Sequence, residues 1–505
     1  MFIVTAKEMY DIDHYTMHEA GLDGKILMEN AGRAISGRME KFMDKSNKIT
    51  VFAGAGNNGG DGFVIARTLY NRSYDVQVFQ VVPDQKITGD AHYHKLLYLN
   101  YGGRVFSSDD HGHLVSRLDE TDVIVDAMVG IGISGKLRAP ISDIAERINQ
   151  SDATVIAVDV PSGLPADEGI SNFQSVQADY TYMVGAAKMT AFLESTSPYY
   201  GGWEKVDIGF PASSFPMCSS RELWGEEQYR ETMPEREKYA HKGKHGKGLI
   251  IGGSSKMPGS IAMAAKASLK AGTGLLTVAS SETVIRMIAS HCVEAMYQPV
   301  PESDGYLTDD PDLSVSDYDA VAIGVGMGRS NRSAAAFRHA VQDTNGPLIV
   351  DADGFYHVKP LLDQLAQREH PTVLTPHPGE MAELMDVSIP EVLKNPFRLS
   401  AEFAEKYNVY VILKGRHTLI TAPDGRQAVN DTGNPGLAKG GSGDVLTGIV
   451  HAMVMQEQGI FQALCNACFV HGAAADWMVE NSRACHDLMA TDVIEGISMV
   501  YRAIS

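Results

Sequence analysis

Twice along this chain, short apolar runs break off into glycine-containing loops and resume as helix-like stretches, an alternation that few architectures can accommodate. The first series is "KITVFAGAG", "DVQVFQVV", "VIVDAMVG" and "TVIAVDV"; the second is "GLIIGG", "GLLTVAS", "AVAIGVG", "PLIVDAD", "TVLTP" and "VYVILKG". Strands buried on both faces read as nearly continuous β-branched and aliphatic runs, so parallel sheets are expected. Amphipathic stretches such as residues 62–70 and 141–150 fall between the runs and predict covering helices. The pattern is therefore α/β throughout, with helices on both faces of a doubly wound sheet. An opening helical region at 26–43 sets Leu27, Ala31, Ile35, Met39 and Phe42 on one stripe. The alternation stops between Phe210 and His245, where "FPASSFPMCSS" and "ETMPEREKYAHKGKHGKG" are rich in proline, serine and charge. That composition predicts a linker near 211–235, between domains at 1–215 and 225–505. At about 150 residues per domain, 505 residues give two to four domains.

Charge and cysteine content exclude several classes of function. With 63 acidic residues against 43 Lys and Arg, the formal net charge is -20. Coating a nucleic acid or an anionic membrane needs a cationic face, so neither is expected. Nucleotide binding stays open, because it uses local backbone dipoles. Five cysteines in a chain of this length are no disulfide framework. Cys465 and Cys468 form a C-x-x-C inside an apolar helical pattern and are read as core packing. The N-terminal "MFIVTAKEMYDIDHYTMHEA" has no long apolar run, and no stretch of 18 apolar residues occurs, so a cytoplasmic protein is expected. Homo-oligomerisation is the prior for a cytosolic protein of this size.

The loop Gly54-Ala55-Gly56-Asn57-Asn58-Gly59-Gly60-Asp61-Gly62 stands between the first strand and a helix and contains G-x-G-x-x-G. Two features set it apart from an ordinary pyrophosphate loop. Asp61 would repel a phosphate at a helix N-terminus, and no acidic residue cleanly ends the next strand. Two further strand ends carry Asp126, followed by Gly130 to Lys136, and Asp159, followed by Ser162. Such carboxylates can be helix caps or turn residues. Ligands of open α/β sheets nevertheless bind outside the carboxyl ends of the strands, so the three loops are expected to converge. Asn58, Asp126 and Ser162 are oxygen donors, which suits a hard cation rather than zinc.

In the second half the strongest segment is Thr432-Gly433-Asn434-Pro435-Gly436-Leu437-Ala438-Lys439-Gly440-Gly441-Ser442-Gly443-Asp444, running directly into "VLTGIVHAMVMQ". Successive N–H groups there can form an anion nest at a helix N-terminus, with Asp444 as a general base. It is not a Walker A loop, and a flexible linker would not feed straight into an amphipathic helix. Lys414-Gly415-Arg416-His417-Thr418, Thr375-Pro376-His377-Pro378-Gly379-Glu380 and Gly324-Val325-Gly326-Met327-Gly328-Arg329 also follow strand-like runs. Asp351 and Asp353 are read either as magnesium or water ligands or as turn residues. Isolated histidines such as His241 and His471 are read as surface or satisfied core residues.

Taken in order, "LMENAG", "GAGNNGGDG", "VDAMVGIGISG", "VDVPSG", "GGS", "GVGMGR", "DADG", "TPHPGE", "LKGRHT" and "NPGLAKGGSGD" resemble the bifunctional NAD(P)H-hydrate repair enzymes. That family joins an epimerase of the YjeF N-terminal type to an ADP-dependent dehydratase. The resemblance implies two three-layer α/β/α domains, Rossmann-like then ribokinase-like, acting on NADHX and NADPHX. The first would interconvert the R and S epimers. The second would dehydrate the S form with ADP, giving AMP and phosphate. By motif, the epimerase pocket would be Asn57, Asn58, Gly59, Gly60, Asp61, Gly130, Ile131, Gly132, Ile133, Ser134, Gly135, Lys136 and Asp159, with Asp159 transferring protons. A potassium ion would sit on Asn58, Asp126 and Ser162. In the dehydratase, Gly326, His377, Pro378, Gly379, Glu380 and Asp444 would hold the hydrated cofactor. Lys414, Gly415, Arg416, His417, Thr418 and Gly443 would hold the nucleotide with magnesium, and Asp444 would activate the ring hydroxyl. The chain departs from the family in having Leu437-Ala438-Lys439 where Met-Ala-Thr is common, and in "PGSIAM" at 258–263. The alternatives are a vitamin or sugar kinase, which needs no acidic upstream pocket, and a binding scaffold, which needs no Asp126–Asp159–Ser162 set.

Overall fold

Seven parallel strands organise the first 221 residues: β1 (Lys48–Ala53), β2 (Asp75–Gln80), β3 (Val105–Ser107), β4 (Val123–Ala127), β5 (Thr154–Val158), β6 (Tyr180–Val184) and β7 (Gly202–Val206). Their spatial order is β3-β2-β1-β4-β5-β6-β7, so the chain reverses direction across the sheet between β1 and β4. The computed structural model describes residues 1–132, 135–310 and 312–504 and divides into two units, Met1–Arg221 and Glu222–Ser505. In the first, Val51, Val78, Val125 and Ile156 face one core with Phe63, while Phe52, Phe79, Ile124 and Val155 face another with Ile144. This alternation along strands buried on both sides is what the continuous apolar runs require. Helices α1 (Ala6–His14), α2 (Gly24–Met39) and α3 (Asn57–Asn71) frame the carboxyl ends of the strands. Helix α2 buries Leu27, Ala31, Ile35 and Met39 as expected, but it stops at Met39. Phe42 lies beyond it, 54% exposed, and is not part of that stripe.

The second unit carries a ten-stranded sheet: β8 (Arg221–Trp224), β9 (Lys247–Ile251), β10 (Leu275–Ser280), β11 (Met296–Pro299), β12 (Ala320–Ile323), β13 (Leu348–Val350), β14 (Thr372–Leu374), β15 (Tyr410–Leu413), β16 (Thr418–Thr421) and β17 (Gln427–Asn430). The order is β8-β17-β16-β15-β14-β13-β12-β9-β10-β11. Strands β9 to β15 pair in parallel, and the β15-β16-β17 end is antiparallel. Helices α4 (Pro258–Ala271), α5 (Pro378–Met385), α6 (Ser442–Met453), α7 (Ile460–Asn481) and α8 (Ala490–Ile504) complete what positions the site. Cys465 and Cys468 are buried in the α7 core among Ile449 and Phe469, and burial pushes both thiols up.

The division between the two units, at Arg221–Glu222, falls inside the 211–235 stretch expected as a linker, and that stretch carries structure of its own. It folds into a short helix (Ser214–Cys218), β8, and a second helix (Glu226–Thr232) that buries Tyr229. Trp224 supplies the reason: it buries in the second core and its Nε1 donates to Asn466 Oδ1 at 3.0 Å.

Candidate functional site

In the first unit, the loops after β1, β4 and β5 meet. At Gly54 a Cβ would stand 1.8 Å from the Met128 carbonyl oxygen, so only glycine lets the first two loops touch. The second and third are tied through Asp126. Its Oδ2 accepts from Ser162 N at 2.7 Å, and its Oδ1 accepts from Ser162 Oγ at 2.6 Å. Val129 N in turn donates to Ser162 Oγ at 2.8 Å. Asp126 is fully buried and has no cationic side chain beside it among the described residues. Burial pushes its carboxyl to about 6, against the pull of the Ser162 and Met128 hydrogen bonds. Asn58 is buried too, with neither side-chain Oδ1 nor Nδ2 finding a partner. A buried, uncompensated carboxylate beside an orphaned amide oxygen and a serine hydroxyl has the donor chemistry of a hard-cation site. No cluster of His, Cys, Asp and Glu stands at metal-ligand spacing among the described residues.

Above these loops lies a cavity of about 520 Å³. Of the residues implied by sequence, Asn57, Asn58, Asp61, Gly130, Ile131, Gly132 and Asp159 line it. Gly59 and Gly60 do not; their places are taken up by close packing against the Gly54 carbonyl and the Met28 side chain. Gly135 and Lys136 are exposed and stand outside the lining. Ile133 and Ser134 lie outside the described residues. Asp159 has φ 67°, a left-handed conformation that costs an Asp of order 1–2 kcal/mol. Its Oδ1 accepts from Val184 N at 3.0 Å and from Lys188 Nζ. Lys188 is fully buried and also donates to Ala186 O at 3.0 Å and Val184 O at 3.1 Å.

Sequence reasoning missed Lys188 and Asp13, both of which line the cavity. A lysine inside the apolar run "VGAAKMTAF" and an acid on the Met9–Ile12–Thr16 side of a helix were the available signals. Burial raises Asp61 well above the usual carboxylate range, with Asp159 and Asp13 adding to it. Burial likewise pushes Asp13 to about 6, opposed by Lys188. Three carboxyls thus stand around one ammonium, and burial raises two of them, Asp61 and Asp13.

In the second unit, β13, β14 and β15 deliver Asp351, Thr375 and Lys414 to one point. Asp351 is buried, with Oδ1 accepting from Thr375 Oγ1 at 2.7 Å and Lys414 Nζ at 2.9 Å, and Oδ2 from Thr447 Oγ1 at 2.6 Å. Burial would raise this carboxyl, but Lys414 and the three donors outweigh it and hold it below its ordinary value. Asp351 thus ties Thr375, Lys414 and Thr447 together at this point. Asp353 is also occupied: it accepts from Gly328 N at 2.9 Å and Arg329 Nε at 3.2 Å and so fixes the loop that contains Gly326.

Asp444 stands in the first turn of α6, just after Gly441, whose φ of 96° sets up the turn of the helix N-terminus. Burial and then Asp351 push its carboxyl to about 6, against a hydrogen bond from Ser260 on α4 and the charge of Lys414. The site at Gly443 is close to both Lys414 Nζ and Asp351 Oδ2. His377 caps α5: its Nδ1 accepts from Gly379 N at 3.0 Å and Glu380 N at 3.2 Å, with Pro378 at the first helical position. Glu380 is buried, 3.8 Å from Lys414 Nζ, and raised by burial. Gly415 and Arg416 are exposed, and Arg416 forms no ion pair among the described residues. His417 lies 2.8 Å from Asp431, and Thr418 opens β16. His471 departs from the satisfied-core reading, since its buried Nε2 has no hydrogen bond. Burial lowers it to about 4, so it is neutral. Two further residues that sequence alone did not single out hold the nest. Asp476 on α7 accepts from Gly433 N at 2.7 Å and Asn434 Nδ2 at 2.9 Å, and Ser260 bonds Asp444.

Two family profiles match the chain: "YjeF-related protein N-terminus" over residues 24–190 and "NAD(P)H-hydrate dehydratase" over 248–498. A bifunctional NAD(P)H-hydrate repair enzyme from Moorella thermoacetica is 34% identical over 517 residues, covering 99% of this chain and 97% of the relative. An ADP/ATP-dependent NAD(P)H-hydrate dehydratase from Bacillus subtilis, co-crystallised with ATP and Mg2+, is 32% identical with a TM-score of 0.49, covering 56% of this chain and 99% of its own. A ribokinase-like superfamily protein from Enterococcus faecalis is 21% identical with a TM-score of 0.50, covering 57% of this chain and 97% of its own, and shows the fold of the second unit.

Proposed function

The chain belongs to the bifunctional NAD(P)H-hydrate repair enzymes, and from that premise we propose how its two units divide the work. It is an NAD(P)H-hydrate epimerase and a nucleotide-dependent NAD(P)H-hydrate dehydratase on one chain. The first cavity takes the hydrated nicotinamide of NADHX or NADPHX, with Asp159 as its proton-transfer carboxylate, oriented by Lys188. Asn58, Asp126 and Ser162 would hold potassium, which supplies positive charge where Asp126 is buried without a partner. The orphaned Asn58 amide is the observation that supports this assignment.

In the second unit a poor leaving group must be converted into a good one. Asp444, with its raised carboxyl, takes the proton from the ring hydroxyl. The Gly440–Gly443 amides receive the negative charge of the transferring phosphoryl. The ring hydroxyl oxygen takes the phosphoryl group as ADP becomes AMP, phosphate then leaves as the ring nitrogen lone pair forms C=N, and the neighbouring ring carbon loses a proton to solvent as the ring C=C re-forms. Arg416, exposed and without an ion pair, and Lys414 supply cations for the nucleotide. Magnesium would travel on the nucleotide's phosphate oxygens. Gly326, His377, Pro378, Gly379 and Glu380 would shape the pocket for the hydrated ring. Five free cysteines suit a reducing, cytoplasmic compartment, and no described helix is long and apolar enough to cross a membrane.

The observation that carries this reading is Asp444, a carboxyl raised towards neutrality at the mouth of a glycine nest. Its test is recovery of NADH absorbance from mixed NADHX epimers with ADP, magnesium and potassium. Full recovery is expected; absence of recovery with either ADP or ATP refutes it.

A further inference from the structure

Besides Asp159, the amino-terminal cavity is lined by three acids that reading does not use, Asp13, Asp61 and Asp90. Asp13 stands on α1 four residues after Met9, and both line the cavity. The helix is fixed there from two sides. A capping box closes its start, with Thr5 Oγ1 accepting from Glu8 N at 3.1 Å and Glu8 Oε2 accepting from Thr5 N at 2.8 Å. The residues before it, Ile3–Val4, pair in parallel with Ala187–Lys188, so that Val4 stands in register with Lys188. After Asp13 the helix passes into a π-turn at Tyr15–Glu19, from which Met17 also reaches the cavity. Such turns concentrate at functional sites. Asp13 has no hydrogen bond or ion pair among the described residues; its charged neighbours are Lys188 and Asp159.

Resting on the epimerase reading, we infer that Asp13 is a second catalytic residue, the acid that protonates the substrate hydroxyl while Asp159, paired with Lys188, acts as the base. A hydrated dihydronicotinamide is a carbinolamine. Asp13 gives its proton to the hydroxyl, the C–O bond breaks, and the ring nitrogen lone pair forms C=N. Water leaves and a water adds to the other face. Its oxygen forms the new C–O bond, C=N returns to C–N, and its proton goes to Asp159. Asp159 then returns a proton to Asp13, so that no atom or charge is left over. The half-buried carboxyl of Asp13, raised to about 6, suits an acid that must also reload. Asp61 is held protonated more firmly and is more deeply buried, which fits it to hold the cluster neutral rather than to turn over. Tyr10, Asp61, Asp90, Asp159 and Lys188 are the other titratable groups lining the cavity.

The test follows conversion of the R epimer to the S epimer by chromatography, with full-length protein and no ADP. Asp13→Asn is expected to lower kcat by about 100-fold or more with KM within about twofold. ADP-dependent dehydration of the S epimer by the same protein reports that the second unit is folded and is expected to stay at the native rate, and an unchanged melting transition of the first unit reports that the fold around Asp13 is kept. A kcat within threefold of native, or a loss confined to KM, overturns the role. In water enriched in oxygen-18, native turnover is expected to place the label in the product hydroxyl, a readout that no folding defect can mimic. Epimerisation without label overturns the C–O step. Native protein that leaves the R epimer untouched refutes the epimerase reading itself.

Discussion

The two sites solve opposite electrostatic problems. The first cavity gathers Asp13, Asp61 and Asp159 around Lys188. Burial raises the carboxyls of Asp13 and Asp61, so part of that negative charge is carried as bound protons. The second balances Asp351 and Glu380 against Lys414 and leaves backbone amides and Arg416 for anions. Burial raises both Asp444 and Glu380 there, Asp444 to about 6. The contrast shows that one chain can use carboxylates as proton stores in one site and as anchors in another. The difference lies in how many hydrogen-bond donors each carboxylate meets.

The strongest test of that contrast is Asp444→Asn. It is expected to cut kcat for ADP-dependent dehydration by about 1,000-fold, within the usual range for a lost general base, while epimerisation without ADP stays at the native rate. The sign with pH follows. A base must be ionised, so dehydration should fall as pH drops through about 6, where Asp444 takes its proton. A rate flat from pH 7 to pH 5 would remove Asp444 from the base role.

Removing potassium should act on the other side of the comparison. Replacing it with choline is expected to slow epimerisation by roughly 10- to 100-fold, as loss of a tuned metal environment does. It should leave the pre-formed S epimer dehydrating at its native rate. Equal loss in both activities would mean that the cation supports the whole chain and not the Asn58–Asp126–Ser162 site.

Much of this was legible in the sequence, and the parts that were not share a cause. Both sheets and the meeting of three loops follow from strand-end positions, which the nearly continuous apolar runs reveal. Lys188 and Asp13 did not, because they are brought together by the two-residue ladder between Ile3–Val4 and Ala187–Lys188, too short to mark a strand. Asp476 was hidden inside an apolar helix, where its link to Gly433 has no local signal. Gly59 and Gly60 stand outside the cavity lining, where the absence of a Cβ allows close packing on the Gly54 carbonyl and Met28. The two units divide inside the expected 211–235 stretch, which is folded rather than open because Trp224 buries in the second core.

Asp476 offers the next, smaller effect. Asp476→Ala removes two charge-assisted hydrogen bonds, each worth about 1.5–3 kcal/mol when buried. The nest loses its tether but keeps its amides. We expect kcat/KM for dehydration to fall about tenfold, with the loss in stability seen as a lower melting temperature of the second unit. An unchanged kcat/KM would show that α6 alone holds the nest.

The smallest effect belongs to Lys439, which replaces a residue that is commonly threonine in the family resemblance. Its position beside Gly440 suggests a phosphate contact from sequence. In the structure its Nζ donates instead to the His486 carbonyl at 2.6 Å, at the exposed edge of the loop. An ammonium committed to a carbonyl and open to solvent adds little field at the nest, because water and salt screen it. Lys439→Thr should therefore change KM for ADP by less than about twofold at physiological salt. Titrating ADP in the dehydration assay at low and high salt would decide it. A tenfold rise in KM that shrinks with added salt would mean that Lys439 leaves His486 for the nucleotide.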